Sequence, residues 1–179
     1  MMPSDQFVLF YNEIFKFLEK KGEKELRRYY DRVSRRQEDF CIRLFTEKGL
    51  RGMFEYWERI RLEENCQMEA ELTADGYHLR MLKCPSLTKA LASDAGACPV
   101  YCDHCPGWVL KVLSVAGYWG VYDMVSRTES VCDLWVYADR ALCRKKYEES
   151  LAKRGPDLIR TNLDVASPSR ATTTEARTR

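Results

Sequence analysis

Apolar residues at positions 7, 10, 11, 14, 17 and 18, all Phe, Tyr, Ile or Leu, recur at helical spacing. Ser4 and Asp5 in front of them and Gly22 behind are suitable helix boundaries. A second stretch carries Leu26, Tyr29, Tyr30, Val33, Phe40, Cys41, Leu44 and Phe45 and ends near Gly49, and a third holds Met53, Phe54, Trp57 and Ile60. These segments predict a helical layer over residues 1–62, with no internal repeat.

From Cys66 the period changes to two. Met68, Ala70 and Leu72 alternate with Glu69, Glu71 and Thr73, and a second strand over 77–83 follows an Asp75-Gly76 turn, which is the pattern of a β-hairpin. Cys84-Pro85 starts a short helix that runs to Leu91, since proline suits a first helical turn. After a loop over 93–105, Pro106 is expected to start a further helix that buries Trp108, Val109, Val112 and Leu113, with Gly117 as its cap. Strands over 118–127 and 131–137 come next, and residues 138–153 read as a charged amphipathic helix.

Beyond Gly155-Pro156 the chain is polar and rich in Ser, Thr and Arg, so residues 155–179 are expected to be disordered. The pattern predicts one α+β domain over 1–154: N-terminal helices, then an antiparallel sheet of about four strands built from two hairpins joined by a helix, with helices on one face and a C-terminal helix. Residues 63–154 form its cysteine-rich part.

Composition narrows the function classes. With 29 basic against 27 acidic residues and a net charge of +2, neither nucleic acid nor a membrane surface is an expected partner. The first apolar stretch contains Glu13 and Lys16 and lacks a basic lead, so it predicts neither a signal peptide nor a membrane span. A cytoplasmic location follows as the expectation, and the eight cysteines are then expected to remain thiols, although an even number would also suit disulfides.

Chemistry concentrates in residues 98–105, where Cys98, Cys102, His104 and Cys105 are packed into eight positions. Soft thiolates suit zinc or an iron–sulfur cluster, with Cys84, Cys98, Cys102 and Cys105 as the expected ligands and His104 or Cys132 in reserve. The bland alternative is that these cysteines are small buried hydrophobes. The spacing C-x3-C-x2-C is also that of radical S-adenosylmethionine enzymes. That motif belongs after the first strand of a long β/α series, and the context here is different.

Cys84 and Cys105 each precede a proline at an expected helix start, where free backbone N–H groups lower a thiol pKa, so either is a candidate nucleophile. Equally, Cys-Pro can simply mark a loop-to-helix junction. His104 is a candidate base or ligand, with Asp103 fixing its tautomer. His78 alternates with Arg80 and reads as a surface residue. Cys132 alternates with Leu134 and Val136 and should face the packed side of the sheet. Tyr101, Trp108 and Cys132 are candidates to wall a small-molecule pocket, and Arg127 and Glu129 to meet a charged ligand. No pattern calls for a nucleotide cofactor, and none addresses the oligomeric state.

Trp57, a hairpin ending in Leu82-Lys83-Cys84-Pro85, the Tyr101-Cys102 element, a helix, a second hairpin containing Cys132 and a final helix together resemble the L-2-amino-thiazoline-4-carboxylic acid hydrolase-like family over residues 50–140. The resemblance implies hydrolysis of a small ring containing sulfur and nitrogen, or of a related C–N bond, with Cys84, Cys102 and Cys132 in the pocket. The chain departs from that pattern by adding Cys98, His104 and Cys105, which makes a metal centre more plausible.

Overall fold

The computed structural model describes residues 3–36 and 38–164. Its elements are α1 (Pro3–Lys21), α2 (Glu23–Arg36), a π-helical turn (Glu38–Ile42), α3 (Arg43–Glu63), β1 (Gln67–Leu72), β2 (Gly76–Lys83), α4 (Pro85–Leu91), a 3₁₀ turn (Tyr101–Asp103), α5 (His104–Val115), β3 (Trp119–Asp123), β4 (Cys132–Tyr137), α6 (Arg140–Arg154) and β5 (Ile159–Thr161). The α+β class expected from the sequence is present, and so are the N-terminal helices and the C-terminal helix. No described helix is long and apolar enough to cross a membrane.

All strands pair antiparallel in one sheet of order β1-β2-β4-β3-β5. The two expected hairpins join through β2 and β4, with Tyr77 opposite Val136 and Leu79 opposite Leu134. Two expectations need correction, although the sheet of about four strands is as expected and gains a short fifth: Ile159 of β5 pairs with Asp123 on the free edge of β3. Residues 155–164 are therefore part of the fold, with Ile159, Asn162 and Leu163 buried. The rest of the expected tail lies outside the described residues. Helices also cover both faces of the sheet.

On one face Tyr77, Leu79, Tyr122, Leu134 and Val136 meet Phe45, Met53 and Trp57 of α3 and Val109, Leu110, Val112 and Leu113 of α5. On the other, Trp119, Val121, Ile159 and Leu163 close on Cys143 of α6. The alternation of a β-strand serves both layers: Trp135 and Asp133 project opposite to Leu134 and Val136. A third cluster, Phe15, Leu26, Tyr30, Leu87, Ala90, Cys98 and Tyr101, ties α1 and α2 to α4 and the 3₁₀ turn.

Local signals explain the boundaries. α3 bends at Gly49, whose φ of 59° and ψ of −142° are non-helical, where the sequence pattern also breaks. α6 is capped by Asp139 Oδ1, which accepts from the Ala141 and Leu142 N–H groups at 2.6 and 3.3 Å. α5 closes in a Schellman motif: Gly117, at φ 83°, donates to Ser114 O at 3.1 Å and Tyr118 N–H donates to Leu113 O at 2.9 Å. This sharp reversal sends the chain directly from α5 into β3 beneath it.

A candidate thiol–imidazole site

The N-terminus of α4 is pinned to the segment entering β4. Cys84 N–H donates to Ser130 O at 2.7 Å, and Thr88 Oγ1 lies 2.7 Å from Cys84 O and 3.1 Å from Ser130 Oγ. Cys84 is the N-cap of α4, its Sγ accepting from Leu87 N–H at 3.4 Å. Cys132, opposite Met81 in the ladder, stands on the sheet face that α5 covers, as its alternation implied. Cys105 lies in the first turn of α5 over that face.

Cys84, Cys102, Cys105 and Cys132 are close enough for their charges to interact. Ionising Cys105 would oppose ionisation of each of the other three, and Cys132 also responds to Cys84 and Cys102. Cys98 stands apart from them. It is buried beside α1, its N–H donating to Asn12 Oδ1 at 2.7 Å and its Sγ lying 3.7 Å from Glu19 Oε2. The 3₁₀ turn thus separates Cys98 from Cys102 and Cys105, despite their closeness in sequence. Among the described residues, no group of three or more His, Cys, Asp or Glu side chains is arranged to hold one metal ion.

His104 is held beside a thiol. Its Nδ1 lies 2.5 Å from Tyr101 O and its Nε2 lies 3.2 Å from Cys105 Sγ. A carbonyl oxygen only accepts, so Nδ1 carries the ring proton, and Nε2 of the neutral imidazole accepts the Cys105 S–H. The ring is clamped between Phe15, roughly parallel at 5.3 Å between centroids, and Tyr101, edge-on at 5.1 Å. The 3₁₀ turn that carries the Tyr101 carbonyl leads straight into α5, so one backbone feature sets both the tautomer and the aim of His104.

Two expectations for this site are corrected. Asp103 does not orient His104: its carboxylate pairs with Arg127 Nη1 at 2.9 Å and Arg160 Nη2 at 3.0 Å. Arg127 also donates to Pro99 O and to Asp157 O, so it fastens the cluster loop to the segment before β5. Nor does a helix start yield a ready thiolate. The Leu87 and Ser86 N–H groups favour ionised Cys84, yet burial prevails and pushes that thiol up to about 11.

Burial likewise raises Cys102 to about 12, with Cys105 and Cys84 adding to it and Arg127 opposing. Cys105 is raised to about 12 by burial and then by Glu64, while burial lowers His104. Both members of the dyad are therefore neutral near pH 7, as a thiol and an imidazole.

Tyr101 is buried among these groups, its hydroxyl 2.5 Å from Ser86 Oγ, and Cys105, Cys84 and Cys102 all act on it. Trp108 is partly buried against the main core one turn beyond Cys105. Ser86, Glu64 and Tyr122 complete the surroundings. The Tyr101 carbonyl, as a backbone atom, has no sequence signature. A surface groove lined by Glu23, Lys24, Arg27, Arg28 and Asp31 of α2 is distinct from this region.

His78 is more than a surface residue. Its Nε2 lies 2.8 Å from Asp133 Oδ1, and its ring stacks on Trp135 at 3.4 Å between centroids, on the sheet face that carries α6. Comparisons of the chain with protein-family models, with curated proteins and with solved structures return no match.

Proposed function

We propose that this protein is a small-molecule hydrolase in which Cys105 is the nucleophile and His104 its general base. The observation that carries the reading is the Cys105 Sγ to His104 Nε2 contact of 3.2 Å, with Nδ1 fixed on the Tyr101 carbonyl. Nucleophile, base and orienting group stand in the order that thiol catalysis needs. The resemblance to the L-2-amino-thiazoline-4-carboxylic acid hydrolase-like family supplies the substrate class, a small sulfur- and nitrogen-containing ring or a related C–N bond.

Nε2 takes the S–H proton as sulfur bonds to the electrophilic carbon, and the same proton passes to the departing nitrogen as the C–N bond breaks. Water, giving a proton to Nε2, then adds to the sulfur-bound carbon, and the C–S bond breaks to restore the thiol. Because the pair begins neutral, the thiolate forms only as the substrate is attacked, and the resting thiol is protected from adventitious electrophiles.

The direct assay is ring opening of 2-amino-thiazoline-4-carboxylate, followed by loss of substrate, with wild type, Cys105→Ser and His104→Gln compared. Turnover by wild type with a loss of at least about a hundredfold in both variants is expected, since a general base contributes roughly 10²–10⁴. Full activity in Cys105→Ser would overturn the assignment.

The grouping of Cys84, Cys102, Cys105 and Cys132 supports a second reading, a metal-binding protein in which Cys132 replaces Cys98 in the expected ligand set, although the thiols would have to move together to reach one ion because no three of the described side chains are arranged to hold it. Metal analysis of protein purified without oxygen tests it. Zinc, or absorption near about 400 nm from an iron–sulfur cluster, lost on Cys132→Ser but retained on Cys98→Ser, would support it.

A further inference from the structure

All eight cysteines are free thiols, and they differ in access. Cys41, Cys66, Cys98 and Cys143 are buried, whereas Cys84, Cys102, Cys105 and Cys132 each keep some exposed surface. Within this second group only Cys102 and Cys105 belong to one continuous turn of backbone; Cys84 comes from the cap of α4 and Cys132 from β4. Asp103 N–H donates to Val100 O at 3.0 Å and His104 N–H donates to Tyr101 O, so successive three-residue hydrogen bonds lead into α5. The two residues between the thiols, Asp103 (φ −70°, ψ −12°) and His104 (φ −66°, ψ −41°), are both helical.

Helical backbone across such a step fixes the separation of its ends. The Cα atoms of residues three apart lie about 5–6 Å from each other, within the roughly 4.4–6.8 Å that a disulfide spans. Their Cβ atoms, also about 5–6 Å apart, must close to about 4 Å. A 3₁₀ turn at a helix start is the part of a helix that adjusts most easily, and here it is the seam between two packed layers: Cys102 rests on the cluster of α1, α2 and α4, and Cys105 on the main core. Consistent with close approach, Cys105 is the neighbouring group whose charge acts most strongly on Cys102.

We propose that Cys102 and Cys105 form a redox-active dithiol that exchanges with low-molecular-weight disulfides to give an intramolecular disulfide. His104 Nε2, 3.2 Å from Cys105 Sγ, takes the thiol proton as that sulfur attacks one sulfur of a disulfide RSSR. The RS–SR bond breaks, the proton passes from Nε2 to the departing sulfur, and RSH leaves Cys105 as a mixed disulfide. Cys102 then attacks Cys105 Sγ, and its own proton leaves with the second RSH. Two cysteine thiols are oxidised, and RSSR is reduced to two RSH.

The resting Cys105 is a thiol, and thiolate is the attacking form, so the imidazole contact is what lets exchange proceed near neutral pH. A disulfide that needs some movement to close is more readily reduced than a relaxed one, which suits a bond that forms and opens rather than one that staples the fold. Cys98 is excluded from the pair because its Sγ faces Glu19 of α1. This chemistry does not rest on the hydrolytic reading, with which it shares only the His104–Cys105 contact.

Incubation of the reduced full chain with oxidised glutathione, followed by acid quench, alkylation and tryptic peptide mapping, tests the proposal. The peptide over residues 90–111 carries Cys98, Cys102 and Cys105 and is separate from those carrying Cys84 and Cys132. In wild type it should lose two hydrogens and keep one alkylated thiol, at Cys98, and a dithiol reductant should reverse the change. Cys102→Ser should trap glutathione on Cys105, and His104→Gln should slow bond formation at least about tenfold, each with an unchanged far-ultraviolet dichroism spectrum. Cysteines that all remain open to alkylation in wild type would overturn the proposal, as would a disulfide that includes Cys84, Cys98 or Cys132, or an unmodified Cys105 in Cys102→Ser. An unchanged rate in His104→Gln would overturn the role given to its imidazole. Every readout is of sulfur chemistry, so failure here and failure of the hydrolase assay are distinct results.

Discussion

Asn162 lies in the segment that sequence composition assigns to a disordered tail, yet it is 3% exposed and joins three elements. Its Oδ1 accepts from Gly120 N–H of β3 at 2.8 Å. Its Nδ2 lies 2.7 Å from Ser114 Oγ, 3.0 Å from Tyr118 O and 3.2 Å from Leu110 O, all on or just after α5. Replacing it with alanine strands the Gly120 donor against apolar neighbours, at about 1–3 kcal/mol for a buried unsatisfied group.

Ser114 Oγ retains its bond to Leu110 O at 2.9 Å, so those two groups keep a partner. Tyr118 O does not, among the described residues, and its loss contributes about 1 kcal/mol more. Asn162→Ala should therefore destabilise the protein by about 2–4 kcal/mol, which for a chain of this length lowers the melting temperature by about 5–15 °C. Thermal and urea unfolding followed by circular dichroism would measure it, and truncation after Gly155 should cost at least as much because it also removes buried Ile159 and Leu163. A shift below about 2 °C in both variants would refute the assignment of β5 and Asn162 to the fold.

Two further outcomes follow from buried thiols and close packing. Cys84 at about 11 and Cys102, Cys105 and Cys143 at about 12 lie above the ordinary thiol value of 9.0, so the native state holds protons that the unfolded chain releases. Stability should be fully present below about pH 9 and decline as pH rises towards 11–12, and a urea midpoint that is flat across that window would contradict it. Gly107→Ala places a Cβ 2.5 Å from the Tyr30 ring, so despite alanine's helix preference it should cost about 1–3 kcal/mol in urea unfolding; an unchanged midpoint would show that α2 and α5 are not in close contact.

The strong periodicities were legible. Helical spacing ending at Gly22, the alternation of β1 and β2, the proline at the start of α4 and the Gly117 cap each fixed an element by a local rule. β5 was not, because Ile159, Arg160 and Thr161, though two of them are β-branched, make too short a run to show alternation and are held there by the open edge of β3. In the candidate site the sequence brought forward Cys84, Cys102, His104, Cys105 and Cys132, but short separation misplaced Cys98. One 3₁₀ turn is enough to send its side chain to α1 while Cys105 faces the sheet. The partners of Asp103 lie 24 and 57 positions along the chain, a tertiary fact that no local pattern encodes.

In the proposed reaction Cys105, relieved of its proton by His104, forms the bond to substrate. Mass spectrometry of protein quenched during incubation with 2-amino-thiazoline-4-carboxylate, followed by peptide mapping, tests it most directly. A substrate-derived mass on the peptide containing Cys105, absent in Cys105→Ser and much diminished in His104→Gln, is the predicted result. An adduct that maps to Cys84, Cys102 or Cys132 and persists in Cys105→Ser would contradict it.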